Sequence, residues 1–278
     1  MIIKTQKIAL ITGGTSGVGL SIAKGLLAQN YHTYIIGSNA EKGKLVETNL
    51  KQSYSKNVTF IQVDLSNLQE VKQFTNDFVA EHDHLDVLAN VAGVILSKRS
   101  LNPQGFEKTF TIGYLSTYLI SNNLAPLLEK APHGRICNVS GSSRFVFGTK
   151  LDFNDLTFSK KYNGFRAAIA SIHAKTVLAE ILSEKFKDRG IDVNSFDPGG
   201  VRSDLLDNVK LLGPVVKVLQ NIVMKKDSET GICVTSAKEL VGITGKYFVK
   251  KKAISLNFEK AYKSKIVQIS NELLAEFL

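Results

Sequence analysis

The stretch Thr12-Gly13-Gly14-Thr15-Ser16-Gly17-Val18-Gly19 directly follows an apolar run, Lys7–Thr12, and leads into a helical pattern over Val18–Gln29. Glycines here let the backbone turn tightly and approach a pyrophosphate, whose charge then meets free N–H groups at the helix N-terminus. Glycines alone are weak evidence, since any tight turn between a strand and a helix can use them. The position of these glycines, between a strand and a helix, predicts a dinucleotide phosphate-binding loop.

The same alternation of strand and helix continues along the chain. Further strands are predicted over His32–Gly37, Val58–Val63, Leu85–Asn90, Arg135–Val139, Ile191–Phe196 and Gly245–Val249. Helices are predicted over Glu41–Ser53, Asn67–Glu81, Gly105–Glu129, Arg166–Lys187 and Phe258–Phe277. Uninterrupted apolar strands such as Ile8–Ile11 are typical of a parallel sheet covered on both faces. We therefore predict an α/β fold, a doubly wound (Rossmann-type) parallel sheet with helices on both faces.

Composition indicates a globular protein, and the length allows one large domain or two small ones. The chain has 278 residues, of which 44% are hydrophobic and 22% charged, and this excludes disorder and fibrous repeats as its main state. We expect a single domain over residues 1–278, with a lid or substrate loop at about 199–226. No run approaches 18 apolar residues, and Ile8–Ile11 is too short for a signal peptide. Two cysteines suit a reducing compartment, so we expect a cytoplasmic protein.

The formal net charge of +10 is concentrated toward the end of the chain, where residues 210–278 hold 12 lysines and 6 acidic residues. Lys250-Lys251-Lys252 lacks interleaved aromatic residues and is interpreted as a solvated loop, so no nucleic-acid partner is predicted. The segment 209–226 alternates apolar residues with lysines. It is either a helix packed on the domain or a lid that also makes weak, peripheral contact with a membrane.

Further landmarks follow the later strands. Asp64-Leu65 follows the third, Asn90-Val91-Ala92-Gly93 the fourth, and Asp197-Pro198-Gly199 the sixth. Together with the glycine spacing, these motifs resemble the short-chain dehydrogenase/reductase family across nearly the whole chain. Other segments resemble its retinol-dehydrogenase-like branch in particular, namely Leu85-Asp86-Val87-Leu88, Gly105-Phe106-Glu107, Gly134-Arg135-Ile136 and Gly245-Lys246-Tyr247-Phe248.

The resemblance implies which residues bind the dinucleotide. In the family, the Asp after the third strand contacts adenine, and the Pro-Gly segment after the sixth closes on nicotinamide. The matching positions in this chain are Thr12, Gly13, Thr15, Ser16, Gly17, Val18, Gly19, Ser38, Asp64, Leu65, Asn90, Ala92, Gly93, Lys175, Pro198, Gly199, Val201 and Ser203.

The choice between NAD and NADP depends in the family on the residue just after the second strand. An Asp there binds the ribose 2′-hydroxyl of NAD, and a basic residue binds the 2′-phosphate of NADP. This chain has Gly37-Ser38-Asn39, which carries neither charge. Since no carboxylate repels a phosphate and the Ser38 hydroxyl can hydrogen-bond one, NADP is favoured, with NAD as the alternative.

The catalytic positions implied by the resemblance are mostly changed. The family uses a Tyr as proton donor, a Lys four residues later, a Ser after the fifth strand and an Asn on the long helix. Lys175 is retained, whereas Ser171, Gly141 and Gly113 occupy the Tyr, Ser and Asn positions. Because a positioned general acid contributes about 10²–10⁴-fold, we expect ordinary ketone reduction to be severely impaired. Restoring the three family residues is expected to raise turnover.

Several hydroxyl groups are candidate substitutes for the missing proton donor. Ser140 and Ser142 flank Gly141, and Ser171 lies on the same helix face as Lys175. Phenols of Tyr114, Tyr118 or Tyr162 are further candidates, although core packing explains these tyrosines more simply. His82-Asp83-His84 lies in a polar turn without a further ligand cluster, so no metal site is predicted.

Three functions stay open at this point. The first is an NAD(P)-dependent oxidoreductase, acting on a small, apolar carbonyl or alcohol substrate through an atypical catalytic centre. The second is a catalytically silent dinucleotide-binding module, and the third is a non-redox enzyme that uses the same pocket. The sequence does not determine the oligomeric state, although a homo-oligomer is compatible with it.

Overall fold

The computed structural model describes residues 6–54, 57–200 and 227–278, and within them a single sheet organises the fold. Its strands are β1 (Ile8–Thr12), β2 (His32–Gly37), β3 (Val58–Gln62), β4 (Val87–Asn90), β5 (Gly134–Val139), β6 (Ile191–Phe196), β7 (Lys246–Val249) and β8 (Lys252–Ser255). The spatial order is β3-β2-β1-β4-β5-β6-β7-β8. Strands β1 to β7 pair in parallel, and β8 runs antiparallel to β7. The predicted doubly wound parallel sheet is confirmed.

Helices cover both faces of this sheet. They are α1 (Gly17–Leu27), α2 (Ala40–Ser53), α3 (Leu68–Glu81), α4 (Lys108–Phe110), α5 (Ser116–Asn123), α6 (Ala125–Lys130), α7 (Ser143–Phe147), α8 (Gly164–Lys185), α9 (Glu229–Ser236) and α10 (Lys260–Leu274). Apolar side chains of α3, α5, α8 and α10 build the core on one face. Those of α1, α2 and α9 build the core on the other.

The long helical stretch expected from about Gly105 to Glu129 is confirmed over most of its length, but it starts later and is interrupted. The helical region begins at Lys108, because Gly105 adopts a positive φ of 82° in the turn before it. Residues Thr111–Leu115 then form a π-helical turn. A second break at Leu124 precedes Pro126, which lacks the N–H group needed to continue the hydrogen-bond ladder.

The sheet ends in a hairpin that the sequence pattern did not predict. Its turn is Lys250-Lys251, where both residues have positive φ, 46° and 68°. This geometry is typical of a two-residue type I′ turn, which usually contains Asn or Gly. Lys250 and Lys251 are exposed, as the solvated-loop interpretation requires, whereas Lys252 already begins β8.

The lid expected at about 199–226 lies mostly outside the described residues, as does the segment 209–226 proposed for membrane contact. In the part of the chain that is described, no helix is long and apolar enough to cross a membrane.

The strand register brings three polar residues to one edge of the sheet. Thr12 of β1 lies beside Asn90 of β4, and Asn90 lies beside Asn138 of β5. Because these strands are parallel, their carboxyl ends and the loops that follow meet at this edge, which is where doubly wound sheets bind ligands.

Candidate active site

The glycine turn between β1 and α1 packs too tightly for larger residues. Gly13 has a φ of 66°, and a Cβ atom at Gly19 would lie 2.3 Å from the carbonyl oxygen of Gly13. The side chain of Ser16, at the N-cap of α1, makes no capping hydrogen bond, which leaves the first N–H groups of the helix available. Thr15, Ser16 and Val18 are all partly exposed along this turn. The turn therefore has the backbone shape and free donors that a phosphate group requires.

Three segments of the site converge on Ala92, in the loop after β4. The Thr12 hydroxyl accepts hydrogen bonds from the backbone N–H groups of Val91 (3.0 Å) and Ala92 (3.1 Å). The Lys175 ammonium group donates to the Ala92 carbonyl oxygen at 3.0 Å. A Cβ atom at Gly13 would lie 3.0 Å from the Ala92 Cα atom. The glycine turn, the β4 loop and helix α8 thus form one continuous wall.

Asn90 is fully buried, so its side chain supports this wall rather than lining it. Its Nδ2 group donates to Ser121 Oγ (3.0 Å) and to Asn138 Oδ1 (2.9 Å). Asn138 Nδ2 in turn donates to the backbone oxygen of Lys175 at 3.2 Å. This chain of amides joins β4 and β5 to α8 below the retained lysine.

The positions expected at the adenine end lie after β2 and β3. Ser38 is exposed, and the next residue, Asn39, caps α2 by accepting a hydrogen bond from the backbone N–H of Lys42. Asp64 is partly exposed, and its Oδ1 atom accepts from the backbone N–H of Ser66 at 2.9 Å. Leu65 is buried beside it. Because β2 and β3 are parallel neighbours, Ser38 and Asp64 lie at the same edge of the sheet, at the carboxyl ends of the strands.

Pro198 and Gly199 follow β6 at the opposite end of the site. Gly199 has a φ of 72°, and its backbone N–H donates to Asp197 Oδ1 at 2.9 Å. The Ser228 hydroxyl donates to the Pro198 carbonyl oxygen at 3.2 Å, which fixes this loop to the start of α9. Gly93, after β4, is exposed. Val201 and Ser203 lie outside the described residues.

Ser171 and Gly113, at two positions where we predict a change from the family's catalytic residues, contact each other. A Cβ atom at Gly113 would lie only 2.6 Å from Ser171 Oγ. The Ser171 hydroxyl donates to the Ala168 carbonyl oxygen of its own helix at 2.8 Å. These small residues let the π-helical turn approach α8 closely, so a side chain at 113 has no room unless Ser171 moves.

Gly141, at the third of these positions, has more room around it. A Cβ atom at Gly141 would lie 3.4 Å from Ile172 Cγ2, an ordinary van der Waals distance. The carbonyl oxygen of Gly141 accepts a hydrogen bond from the Tyr247 phenol of β7 at 2.5 Å. Ser140 is buried against the Thr176 hydroxyl, whereas Ser142 is exposed. A serine would fit at 141 without moving the backbone.

The tyrosines considered as substitute donors are engaged elsewhere. The Tyr114 hydroxyl pairs with Ser270 Oγ at 2.7 Å, and the Tyr118 hydroxyl donates to Asn271 Oδ1 at 2.7 Å. Both therefore face α10, and burial raises the pKa of each phenol. Tyr162 donates to Glu107 Oε1 at 3.0 Å and to the Leu96 carbonyl oxygen at 3.2 Å.

The histidines have structural partners. His173 pairs with the Val146 carbonyl oxygen and the Tyr262 hydroxyl, and His82 pairs with the Phe78 carbonyl oxygen and the Tyr34 hydroxyl. No set of three His, Cys, Asp or Glu side chains in the described ranges is arranged to hold a metal ion.

Comparison with known proteins identifies the family. The profile of the short chain dehydrogenase family matches residues 7–150. A polyprenol dehydrogenase of Danio rerio is 31% identical over 272 residues, which cover 94% of this chain and 84% of the relative. The chain belongs to the short-chain dehydrogenase family.

Other relatives and solved structures agree with this assignment. Retinol dehydrogenase 12 of Homo sapiens is 26% identical, over 87% of this chain and 77% of its own length. The Pseudomonas aeruginosa RhlG structure, an active-site complex with NADP, superposes with a TM-score of 0.66 at 21% identity. That superposition covers 87% of this chain and 93% of RhlG, and it shows a shared fold.

Within this short-chain dehydrogenase, Lys175 is the buried cation of the site. Its side chain is 2% exposed, and burial lowers its pKa from 10.5 to about 7. Desolvation disfavours the charged form of an amine, so near neutral pH this group exists in both protonation states. A bound group with hydroxyls or negative charge would replace the missing hydration.

Two features of the site carry no local sequence signal. The Tyr247 phenol reaches Gly141 from a distant strand, and nothing near Tyr247 in the sequence indicates this hydrogen bond. The contact of Gly113 with Ser171 is also long-range, although both residues were identified as departures from the family pattern. The hydrogen bond between Ala92 and Thr12, by contrast, joins two motifs that are recognisable in the sequence.

Proposed function

We propose that this chain is an NAD(P)(H)-dependent oxidoreductase that acts on a carbonyl or alcohol group of an apolar substrate through an atypical catalytic centre. The observation that carries the proposal is the convergence of Thr12, Lys175 and the glycine turn on Ala92. It preserves the shape of a dinucleotide site although the catalytic positions differ. When bound, the nicotinamide group supplies hydride chemistry.

The residues present fit a dinucleotide. The turn at Gly13 and Gly19 leaves no room for side chains and offers free N–H groups to a pyrophosphate. We assign Asp64 to the adenine end and Lys175 to the ribose beside nicotinamide, the roles that these positions have in the family. Gly199, after β6, would close on the nicotinamide itself.

NADP is the favoured form of the cofactor. Ser38 and Asn39 are exposed after β2, and neither carries a charge that would repel a 2′-phosphate. Ser38→Asp would add a carboxylate at this point. We expect the variant to lose affinity for NADPH while keeping that for NADH, as measured by the thermal shift with each nucleotide.

The relatives suggest the substrate class. Those named above are a polyprenol dehydrogenase and a retinol dehydrogenase, whose names specify alcohols with long apolar chains. We propose a substrate of this class, with the hydroxyl or carbonyl group at the end of an apolar body.

The catalytic centre must work without the family's phenol. A serine hydroxyl at 171, bonded to its own helix, cannot supply the 10²–10⁴-fold contribution of a positioned acid. Lys175 is the titratable group that remains there. Turnover is therefore expected to be slow unless the substrate needs little acid assistance.

A second candidate is a catalytically silent dinucleotide-binding protein. The contact of Gly113 with Ser171 supports it, because the two positions pack directly together without a phenol or an amide side chain. Such a protein would bind the dinucleotide as tightly but show no turnover with any alcohol or aldehyde.

The first experiment is a melting-temperature measurement with NADPH, NADH and no nucleotide. A ligand that binds the native state at 100 times its Kd stabilises it by about 2.7 kcal/mol. We expect a shift with the wild type, a smaller one with Thr12→Val, which keeps the shape but loses the acceptor for Val91 and Ala92, and none with Gly19→Leu. Circular dichroism verifies that both variants fold. The absence of any wild-type shift at millimolar nucleotide would refute dinucleotide binding.

A further inference from the structure

A separate cavity of about 430 Å³ lies between the loop 149–163 and the first turns of α8. This volume is within the range of sites for small molecules. Its wall is largely apolar and includes Leu151, Leu156, Phe158, Phe165, Ile169 and Ala170. Phe165 is 51% exposed at this surface, whereas Leu151 and Phe158 are buried. The cavity thus has an apolar interior that solvent reaches.

This cavity is not part of the candidate active site. Arg166, which lines it, precedes Lys175 by nine residues on α8. At 3.6 residues per turn, that separation is about two and a half turns, which places the two side chains on opposite sides of the helix. Lys175 faces Ala92, and the cavity faces away from it.

Three cations line the cavity, namely Lys150, Lys161 and Arg166. Within the described residues, none of the three side chains has a hydrogen-bond or ion-pair partner. Cations left unpaired on an apolar surface attract an anionic group.

The two acidic residues of the cavity are already used by the loop itself. Asp155 accepts hydrogen bonds from the backbone N–H of Ser159 (2.7 Å), from the Ser159 hydroxyl (2.8 Å) and from the backbone N–H of Lys160 (3.1 Å). Desolvation raises the pKa of Asp155, but these bonds outweigh it and leave the pKa below its ordinary value. Asp152 Oδ1 accepts from the backbone N–H of Asn154 at 3.1 Å. The lining thus holds three basic side chains against two acidic ones, a formal net charge of +1, and the acidic ones already have partners in the loop.

The backbone of the cavity wall is strained at two positions. Phe158 and Lys161, both of which line the cavity, have positive φ of 51° and 50°. Such conformations are costly for non-glycine residues and cluster at ligand sites. Here the Phe158 ring is part of the apolar wall, and Lys161 lies at the rim of the cavity.

We propose that this cavity binds an organic anion with an aliphatic body, such as an acyl chain that ends in a carboxylate or a phosphate. The apolar wall accommodates the chain, and Lys150, Lys161 and Arg166 neutralise the head group. The proposal does not depend on dinucleotide binding, because the cavity lies on the other side of α8.

The test is isothermal titration calorimetry of the whole chain with dodecanoate and dodecyl phosphate, each below its micelle concentration, and with dodecanol as the uncharged counterpart. We expect saturable binding of at least one anion and at least tenfold weaker binding of dodecanol. The double variant Lys161→Gln/Arg166→Gln should weaken anion binding at least tenfold. Lys160→Gln is the matched control, since Lys160 is an adjacent exposed lysine that does not line the cavity.

A second variant addresses the apolar wall. Ile169→Trp fills the cavity and should abolish binding of both anions while the NADPH thermal shift persists. The proposal is overturned if neither anion binds, if dodecanol binds as well as the anions, or if Lys160→Gln has the same effect as the double variant. Binding only to vesicles of phosphatidylcholine with phosphatidylserine, and not to the monomeric anions, would also overturn it in favour of a membrane-docking surface.

Discussion

Lys175 donates one hydrogen bond, to the carbonyl oxygen of Ala92, from a position with almost no access to water. Burial lowers its pKa to about 7, so folding at mildly alkaline pH expels a proton that the unfolded chain retains. The residue that the family uses beside the cofactor is thus also a source of pH-dependent stability.

The pH dependence of unfolding measures this effect. Between pH 7 and 10.5 the unfolded state binds more protons at Lys175 than the native state does, so stability from this group rises with pH. The slope is up to about 1.4 kcal/mol per pH unit. We expect Lys175→Met to lose this contribution, with a correspondingly flatter profile in urea unfolding at pH 7.5, 8.5 and 9.5. Equal slopes in the two proteins would show that Lys175 stays charged in the fold.

For individual residues, the sequence predicts which ones belong to the site better than it predicts what their side chains do there. Thr12, Gly13 and Lys175 were marked by motif and spacing, and the structure brings them together around Ala92. Asn90 was marked as well, but its side chain lies wholly in the core. Its burial follows from the strand register, which a motif does not contain.

Among the elements, helix α8 and the π-helical turn Thr111–Leu115 approach each other closely because small residues lie at their contact. Gly113 and Ser171 touch, and these are two of the positions at which we predict a change from the family's catalytic residues. Restoring an Asn at 113 therefore requires Ser171 and its surroundings to rearrange, whereas restoring a Ser at 141 does not.

Substitutions at Gly113 and Gly141 compare a position that has no room for a side chain with one that has room. Gly113→Asn forces a side chain against Ser171, and overpacking of this kind costs about 1–3 kcal/mol. We expect it to lower the melting temperature by several degrees, at roughly 2–4 °C per kcal/mol for a chain of this size. Gly141→Ser should change the melting temperature by no more than about 1 °C, because its Cβ has room beside Ile172. Equal melting temperatures for both variants would contradict the helix contact described here.

The β7–β8 hairpin offers an independent test of backbone geometry. Lys251 has a φ of 68°, a left-handed conformation that costs a non-glycine residue roughly 1–2 kcal/mol. We expect Lys251→Gly to raise the melting temperature, whereas Lys252→Gly, one residue later in β8, should lower it because glycine weakens a strand. Destabilisation by both substitutions to a similar extent would show that the turn has a different conformation.

The elements differ in how well the sequence predicts them. Strands β2 and β6 were predicted to the residue, since each is a short segment that ends at turn residues, Ser38-Asn39 and Asp197-Pro198-Gly199. Strand β8 is exposed along its whole length, so it has no apolar pattern, and Lys250-Lys251 is not a recognisable turn. The π-helical turn follows from packing between helices rather than from local sequence.

Over the whole molecule, the parallel sheet places Thr12, Asn90 and Asn138 at one edge, and α8 brings Lys175 to them. Helix α10 then covers α5, and its Ser270 and Asn271 bind the Tyr114 and Tyr118 phenols on the side away from the glycine turn. The phenols of Tyr114 and Tyr118 are thus engaged by α10, while Thr12 and Lys175 meet at Ala92. A molecule built in this way is expected to bind the cofactor well and to transfer hydride poorly.

The most direct test is the fluorescence of NADPH, titrated with the protein and then followed after addition of retinal. We predict a saturable fluorescence change on binding. The subsequent consumption of NADPH should be at least about 10²-fold slower than that by a short-chain dehydrogenase with the full Asn, Ser, Tyr and Lys set, assayed in parallel. Consumption at the rate of that reference enzyme would contradict the atypical centre, and the absence of a binding signal with either NADPH or NADH would contradict the dinucleotide site.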